Sequence, residues 1–316
     1  MHGVRAVRAV MVATQIVACV ARAGVVPAPG RAAPLEVSVP APGRAAPPEV
    51  SVLTPGRAAT LEVSASTVVQ GQTVRVRLTA TPSLPPMLES GDRRVPMFVH
   101  RGGYEAFLGT SPLTPPGRLT LRVSLHRDGR LVVLTRTVRV RPGTFGIRRL
   151  RVPPRLLDPE LVALERRKIL RATAHPLPAP QWDGPFRLPV DRPVTSNYGV
   201  RSIYNDVPAG YHLGVDFRAD EGTPVVAAQR GLVTLAEPLP LGGQTVVIDH
   251  GVGIFTTYLH LSAIEVRAGQ PVRAGDLIGR VGSTGLSTGP HLHWGLRVHG
   301  VLVDPLEWTT GVLARR

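Results

Sequence analysis

Proline and glycine set the first limit on what this chain can become. With 32 prolines and 33 glycines among 316 residues, uninterrupted stretches are short, which argues against long helices and for strands joined by turns. A hydrophobic content of 43% is ample for packed cores. The expected class is mainly β. Proline also dominates a 13-residue repeat in three copies, Pro27 to Val39, Pro40 to Val52 and Leu53 to Ala65. At that density the repeat reads as an extended, semi-rigid tether.

From about residue 60 to 142 apolar and polar residues alternate in short runs, Leu61 to Ala65, Thr73 to Thr79, Leu119 to Leu125 and Leu131 to Val140, separated by turn signals such as Gln70-Gly71-Gln72 and Arg127-Asp128-Gly129-Arg130. This predicts a small antiparallel sandwich, immunoglobulin-like in pattern but without the cysteine pair or core tryptophan. Pro159 to Ala174 is the best helix, with Asp158 as N-cap and Leu161, Leu164, Ile169 and Leu170 as a partial apolar stripe. Prolines 176, 178, 180 and 185 then read as a linker, and a second domain begins near Phe186.

The N-terminus reads as an export signal. Arg5 and Arg8 precede an apolar run, Ala9 to Ala21, too short to span a bilayer, and Ala21-Arg22-Ala23 has the form of a cleavage site. The alternative is Ile16-Val17-Ala18-Cys19, a lipobox-like stretch that would make Cys19 a lipidated membrane anchor. Cys19 is the only cysteine, so no internal disulfide can form. The net charge of +15 lies entirely before Phe186, because residues 186–316 hold 11 arginines and 11 acidic groups. A basic front half suits an acidic wall, an anionic membrane surface or nucleic acid. No nucleic-acid module is present, so nucleic acid is not expected as a partner.

The residues that carry chemistry are His212, Asp216, His260, His291 and His293. Imidazoles with one carboxylate are the donor types of a catalytic zinc site that keeps a position open for water. On a straight strand residues 212 and 216 would stand about 13 Å apart, so the backbone must bend, and Gly214 is the expected bend. Strict alternation from His291 to Val298 puts His291 and His293 on one face, and Tyr258-Leu-His260 is read as the same geometry on another strand. Tyr204 and Tyr258 could line a groove. His250 and His299 are expected to be structural.

Asn197-Tyr-Gly-Val-Arg201, His212-x-Gly-x-Asp216, Ile248-Asp-His-Gly251, Tyr258-x-His-Leu261, Gly275-Asp-x-Ile-Gly279, Gly282-Ser-Thr-Gly285 and His291-Leu-His293 resemble, in that order, the lysostaphin-type (LytM, M23) zinc metallopeptidases of bacterial cell walls. The resemblance covers residues 194 to 308. It implies a duplicated-hybrid-motif, lipoyl-barrel-like antiparallel β catalytic domain, Zn2+ held by His212, Asp216 and His293, and His260 and His291 acting on the attacking water or the oxyanion. It further implies hydrolysis of peptide cross-links in peptidoglycan, in the periplasm or cell envelope. Alternatives are a non-catalytic activator of other wall hydrolases, or a protease for glycine-rich protein. Gly222 to Ala228 and Gly269 to Gly275 also resemble halves of a biotinyl or lipoyl carrier, but a carrier needs a lysine there and the only one is Lys168. The expected organisation is therefore signal peptide 1–23, tether 24–59, β-sandwich 60–142, helix and linker 143–185, and catalytic domain 186–316. The front domain is read as an anchor or a lid, and no substrate-binding residue is assigned.

Overall fold

The computed structural model describes residues 59–310 except 83, 128 and 129; the expected signal peptide, Cys19 and nearly all of the repeat lie outside the described residues. Nine strands form the front unit: β1 (Thr60–Val63), β2 (Thr67–Val69), β3 (Thr73–Thr79), β4 (Met87–Ser90), β5 (Arg93–Pro96), β6 (Phe98–His100), β7 (Gly103–Gly109), β8 (Gly117–Arg127) and β9 (Arg130–Arg141). They make two sheets, β1-β3-β7-β6 and β2-β9-β8-β4-β5, antiparallel apart from the β2–β9 pair. Alternation explains the packing. In β3, Val74, Val76 and Leu78 are buried while Arg75 and Arg77 are not, and in β8 Leu121, Val123 and Leu125 face them across one core.

The second unit is a larger sheet. It contains β11 (Val194–Ser196), β14 (Val215–Arg218), β15 (Pro224–Val226), β16 (Gly231–Leu239), β17 (Gly243–Asp249), β18 (Ile254–Ile264), β19 (Pro271–Val272), β20 (Leu277–Val281), β21 (His291–Val298) and β22 (Val301–Val303). Its central order is β11-β14-β21-β18-β17-β16-β19. Trp294, Tyr258, Phe217 and Ile248 fill its core. A separate three-stranded sheet joins β10 (Ile147–Leu150) to β12 (Arg201–Tyr204) and β13 (Val207–Tyr211), with β10 parallel to β12.

The stretch read as helix and linker contacts the second unit at several points along its length. Helix α1 (Pro159–Ala172) starts at Asp158, whose side chain accepts from the Glu160 N–H. Its buried face is Val162, Glu165 and Ile169. The expected stripe is corrected accordingly: of its four residues only Ile169 is buried, against Leu235, Leu239, Val247 and Phe255, and the others sit at the helix flanks. The proline-rich residues after α1 are tied down by hydrogen bonds: the Leu177 N–H donates to the Asp249 carboxylate, the Leu177 carbonyl accepts from the Val252 N–H, and the Gln181 N–H donates to the His250 carbonyl. Extended proline segments leave their carbonyls and remaining N–H groups free for such bonds. No helix among the described residues is long and apolar enough to cross a membrane.

The two units share an aromatic joint. Phe107 of β7 is buried in the core of the second unit, with ring centroids 5.3 Å from Trp308 and 6.0 Å from Trp182. Trp308 also donates to Thr73 Oγ1, and the Thr73 N–H donates to Glu307 at 2.8 Å. Burial pushes the Glu307 carboxyl up from 4.5 to about 7, with the Asp304 charge adding to the rise. Such a group holds an extra proton in the folded state between pH 4.5 and 7. Its contribution to stability is present at low pH and is lost as pH climbs through that window. Glu307→Gln keeps an acceptor but does not titrate. The difference in melting temperature, variant minus wild type, should therefore become more positive from pH 5 to pH 8 in a thermal-shift series, and a flat difference would mean Glu307 is not raised.

Candidate metal centre

β14 and β21 run antiparallel with Asp216 directly opposite His293. Alternation sends Leu292, Trp294 and Leu296 into the core and turns His291 and His293 to a cavity of about 580 Å³. His212 enters from the turn before β14. Its Nδ1 lies 2.9 Å from the Asn197 carbonyl oxygen, which can only accept, so Nδ1 carries the proton and Nε2 presents a lone pair. That Nε2 is 2.9 Å from Asp216 Oδ1 and 3.0 Å from His293 Nδ1, and Oδ1 is 2.9 Å from the same Nδ1.

Two acceptors, His212 Nε2 and Asp216 Oδ1, thus face each other across hydrogen-bond distance, an arrangement that calls for a shared proton or a metal ion. Ligand atoms of a tetrahedral zinc with bonds of about 2.0–2.1 Å stand roughly 3.3 Å apart, so the triangle is close to the size zinc requires. Among the described residues, His212, Asp216 and His293 are the one group of three whose ligand atoms converge in this way. Burial alone would raise the Asp216 carboxyl, but hydrogen bonds and charge from His212 and His293 outweigh it and hold it well below the ordinary range. Burial pushes His293 down to about 4 against the pull of Asp216. An ionised carboxylate and a neutral imidazole are the forms a metal takes.

The chain bends at Gly214, as expected, and the residue also does its part by size. Its φ is not positive, but a Cβ there would sit 2.5 Å from the Trp294 carbonyl oxygen and 2.6 Å from His293 Nε2. Only glycine leaves room for the His293 ring.

His260 reaches the cleft by a device that alternation does not show. Tyr258 pairs with Trp294 in the core, and its hydroxyl accepts from the Ala228 N–H. By period two, His260 would follow it inward. Instead β18 bulges: Val246 pairs with Tyr258 but Gln244 with Leu261, and His260 takes a left-handed φ of 64°. The expectation that Tyr258 and His260 share a face is therefore corrected, and Tyr258 is core. Tyr204 does line the cavity.

The His260 ring lies 4.8 Å from that of His291 and 6.2 Å from that of His293. His260 Nδ1 is 2.9 Å from the Thr284 carbonyl and His291 Nδ1 is 2.8 Å from that of Gly289. Both rings thus carry their protons on Nδ1 and turn lone pairs of Nε2 elsewhere, with His291 Nε2 4.0 Å from Asp216 Oδ1. Burial first, then the neighbouring His291 and His293, push His260 down to about 3. His250 is fully buried between the Arg230 carbonyl and Thr256 Oγ1, and His299 is half-buried and does not line the cavity.

Two residues escaped the sequence reading. Arg148 of β10 donates to Asp216 Oδ2 at 3.3 Å. Glu165 of α1 accepts from the Leu241 and Gly242 N–H groups at 2.6 and 3.0 Å, and the Gly242 carbonyl in turn accepts from the His260 N–H. Glu165 had a signal: it stands three after Val162 and four before Ile169, on the face that proves apolar. Arg148 had none.

Residues 210–305 match Peptidase family M23. The chain carries an M23 peptidase domain. Over 96 residues it is 46% identical to the DD-carboxypeptidase/endopeptidase Mpg of Neisseria meningitidis, covering 30% of this chain and 22% of Mpg. Over 124 residues it is 41% identical to the peptidoglycan DD-endopeptidase ShyA of Vibrio cholerae, covering 38% and 29%. The chain thus spans less than a third of the length of these curated relatives. A crystal structure from Pseudomonas aeruginosa, of a protein named for peptidase M23, is 26% identical and aligns over 77% of this chain and 95% of its own with a TM-score of 0.57. That coverage extends well beyond residues 210–305.

Removing the Glu165 carboxylate strands two buried donors. An unsatisfied buried N–H costs about 1–3 kcal/mol, so Glu165→Ala should lose about 2 kcal/mol or more in urea denaturation. Glu160→Ala, at an exposed position of the same helix, should lose well under 1 kcal/mol. Equal losses would remove the anchoring role.

Proposed function

We propose that the chain is a zinc-dependent endopeptidase that hydrolyses peptide cross-links of bacterial peptidoglycan. The observation that carries this reading is the convergence of His212 Nε2, Asp216 Oδ1 and His293 Nδ1 on one point of a cavity that His260 and His291 also line. Zinc held by those three atoms supplies a water of lowered pKa and polarises a carbonyl. The protein's own groups handle the protons. With Nδ1 of both rings fixed on carbonyls, His260 and His291 enter as proton acceptors at Nε2. Whichever takes the water proton becomes a cation beside the developing oxyanion, and returns the proton to the leaving amine.

The substrate class rests on the relatives: ShyA is named a peptidoglycan DD-endopeptidase and Mpg a DD-carboxypeptidase/endopeptidase. A wall substrate agrees with the export signal read in residues 1–23 and with the basic front half. None of the described residues 60–142 lines the cavity. The sandwich therefore serves as a mount for the peptidase and its anchor, and the wall of the cleft is built by residues 148–153 instead.

Incubated with zinc and cross-linked muropeptide dimers, the full chain should release monomers. His293→Ala should abolish release together with zinc binding. His260→Ala should retain zinc and lose at least about a hundredfold in kcat, the scale of a positioned acid–base group. Intact dimers with wild type, or wild type and His293→Ala behaving alike, would overturn the proposal.

A further inference from the structure

Arg148 lies more than sixty positions before Asp216 and outside residues 210–305, yet its guanidinium sits on the carboxylate at the heart of the site. Parallel pairing of β10 with β12 puts Arg148 opposite Ser202. Nε donates to the hydroxyl of this fully buried serine at 2.9 Å, which fixes the guanidinium plane. Nη1 donates to Ser196 Oγ and to Asp216 Oδ2, each at 3.3 Å. Ser196 Oγ is also 3.2 Å from His212 Nδ1, so arginine, serine and histidine form one continuous network around the carboxylate.

The two oxygens of Asp216 are thereby divided. Oδ1 faces His212 and His293, and Oδ2 faces Arg148. Among the described residues Arg148 is the only arginine or lysine paired with Asp216. A free carboxylate can rotate, or offer a metal both oxygens. One whose second oxygen is held by an anchored guanidinium offers a single oxygen at a fixed angle, and its buried negative charge is partly offset before a metal arrives.

We propose that Arg148 is a positioning residue for Asp216, holding it as a one-oxygen zinc ligand, so that the metal centre is completed by a strand from outside the M23 domain. The inference rests on the zinc reading above. Outer partners of metal ligands are commonly worth 10–100-fold in affinity.

The test is zinc affinity of the full chain, measured by competition with a chromophoric chelator, together with the visible spectrum of the cobalt-substituted protein. Arg148→Ala should weaken zinc binding 10–100-fold and shift the cobalt bands. Arg148→Lys should recover part of the affinity, because it restores charge without the fork. Ser202→Ala, which removes only the anchor, should weaken binding several-fold and covers the case in which Arg148→Ala does not fold. Arg149→Ala, at the exposed neighbouring position, should match wild type in both readouts. Unchanged affinity and spectrum in Arg148→Ala and Ser202→Ala, or tighter binding in either, would overturn the proposal. Wild type without zinc affinity would instead remove the metal reading on which it rests.

Discussion

Asp216 and His293 stand opposite each other on adjacent antiparallel strands, and the register of that one pair governs most of what the second unit does. Side chains alternate with a period of two and paired residues share a face, so a slip of one residue between the strands would leave Asp216 and His293 on opposite faces of the sheet. The register is held from the other side by the core: Val215, Phe217, Leu292, Trp294 and Leu296 are all fully buried. Packing and chemistry are two faces of the same alternation. Burying the one face fixes the geometry of the polar side chains on the other.

This is also why so much of the centre was legible in the sequence. His291-Leu-His-Trp-Gly-Leu states both faces of β21 in consecutive letters, and the period-two runs of β3 and β8 announce a sandwich in the same way. The His212 side was legible in part. Its glycine was expected as a bend because residues 212 and 216 had to converge, and the chain does bend there. The second reason for the glycine, space beside the His293 ring, depends on a strand some eighty residues later and leaves no separate mark in the sequence.

What the sequence could not show is long-range in origin. β10 is four residues long with exposed and half-buried positions in alternation, too short and too polar to register as a strand. Its place is set by pairing with β12, some fifty residues later. The buried face of α1 was displaced in the same way, because Glu165 is polar by composition and buried by partnership. A carboxylate on an apolar face is read as solvent-exposed unless its acceptors' partners are known, and here they come from a turn more than seventy positions away.

The bulge at His260 joins these threads. A non-glycine residue in the left-handed region costs about 1–2 kcal/mol, and such conformations persist only where the surroundings over-determine them. His260 is held three ways: its N–H on the Gly242 carbonyl, its Nδ1 on the Thr284 carbonyl, and, at one remove, by Glu165, which fixes the N–H groups of Leu241 and Gly242 from the helix. The residue that turns a core position into a cleft position therefore depends on α1, just as the carboxylate of Asp216 is met by Arg148 from β10. The segment between sandwich and peptidase reaches the site from both sides. Through Glu165 it bonds to the turn that holds His260, and through Arg148 to the Asp216 carboxylate.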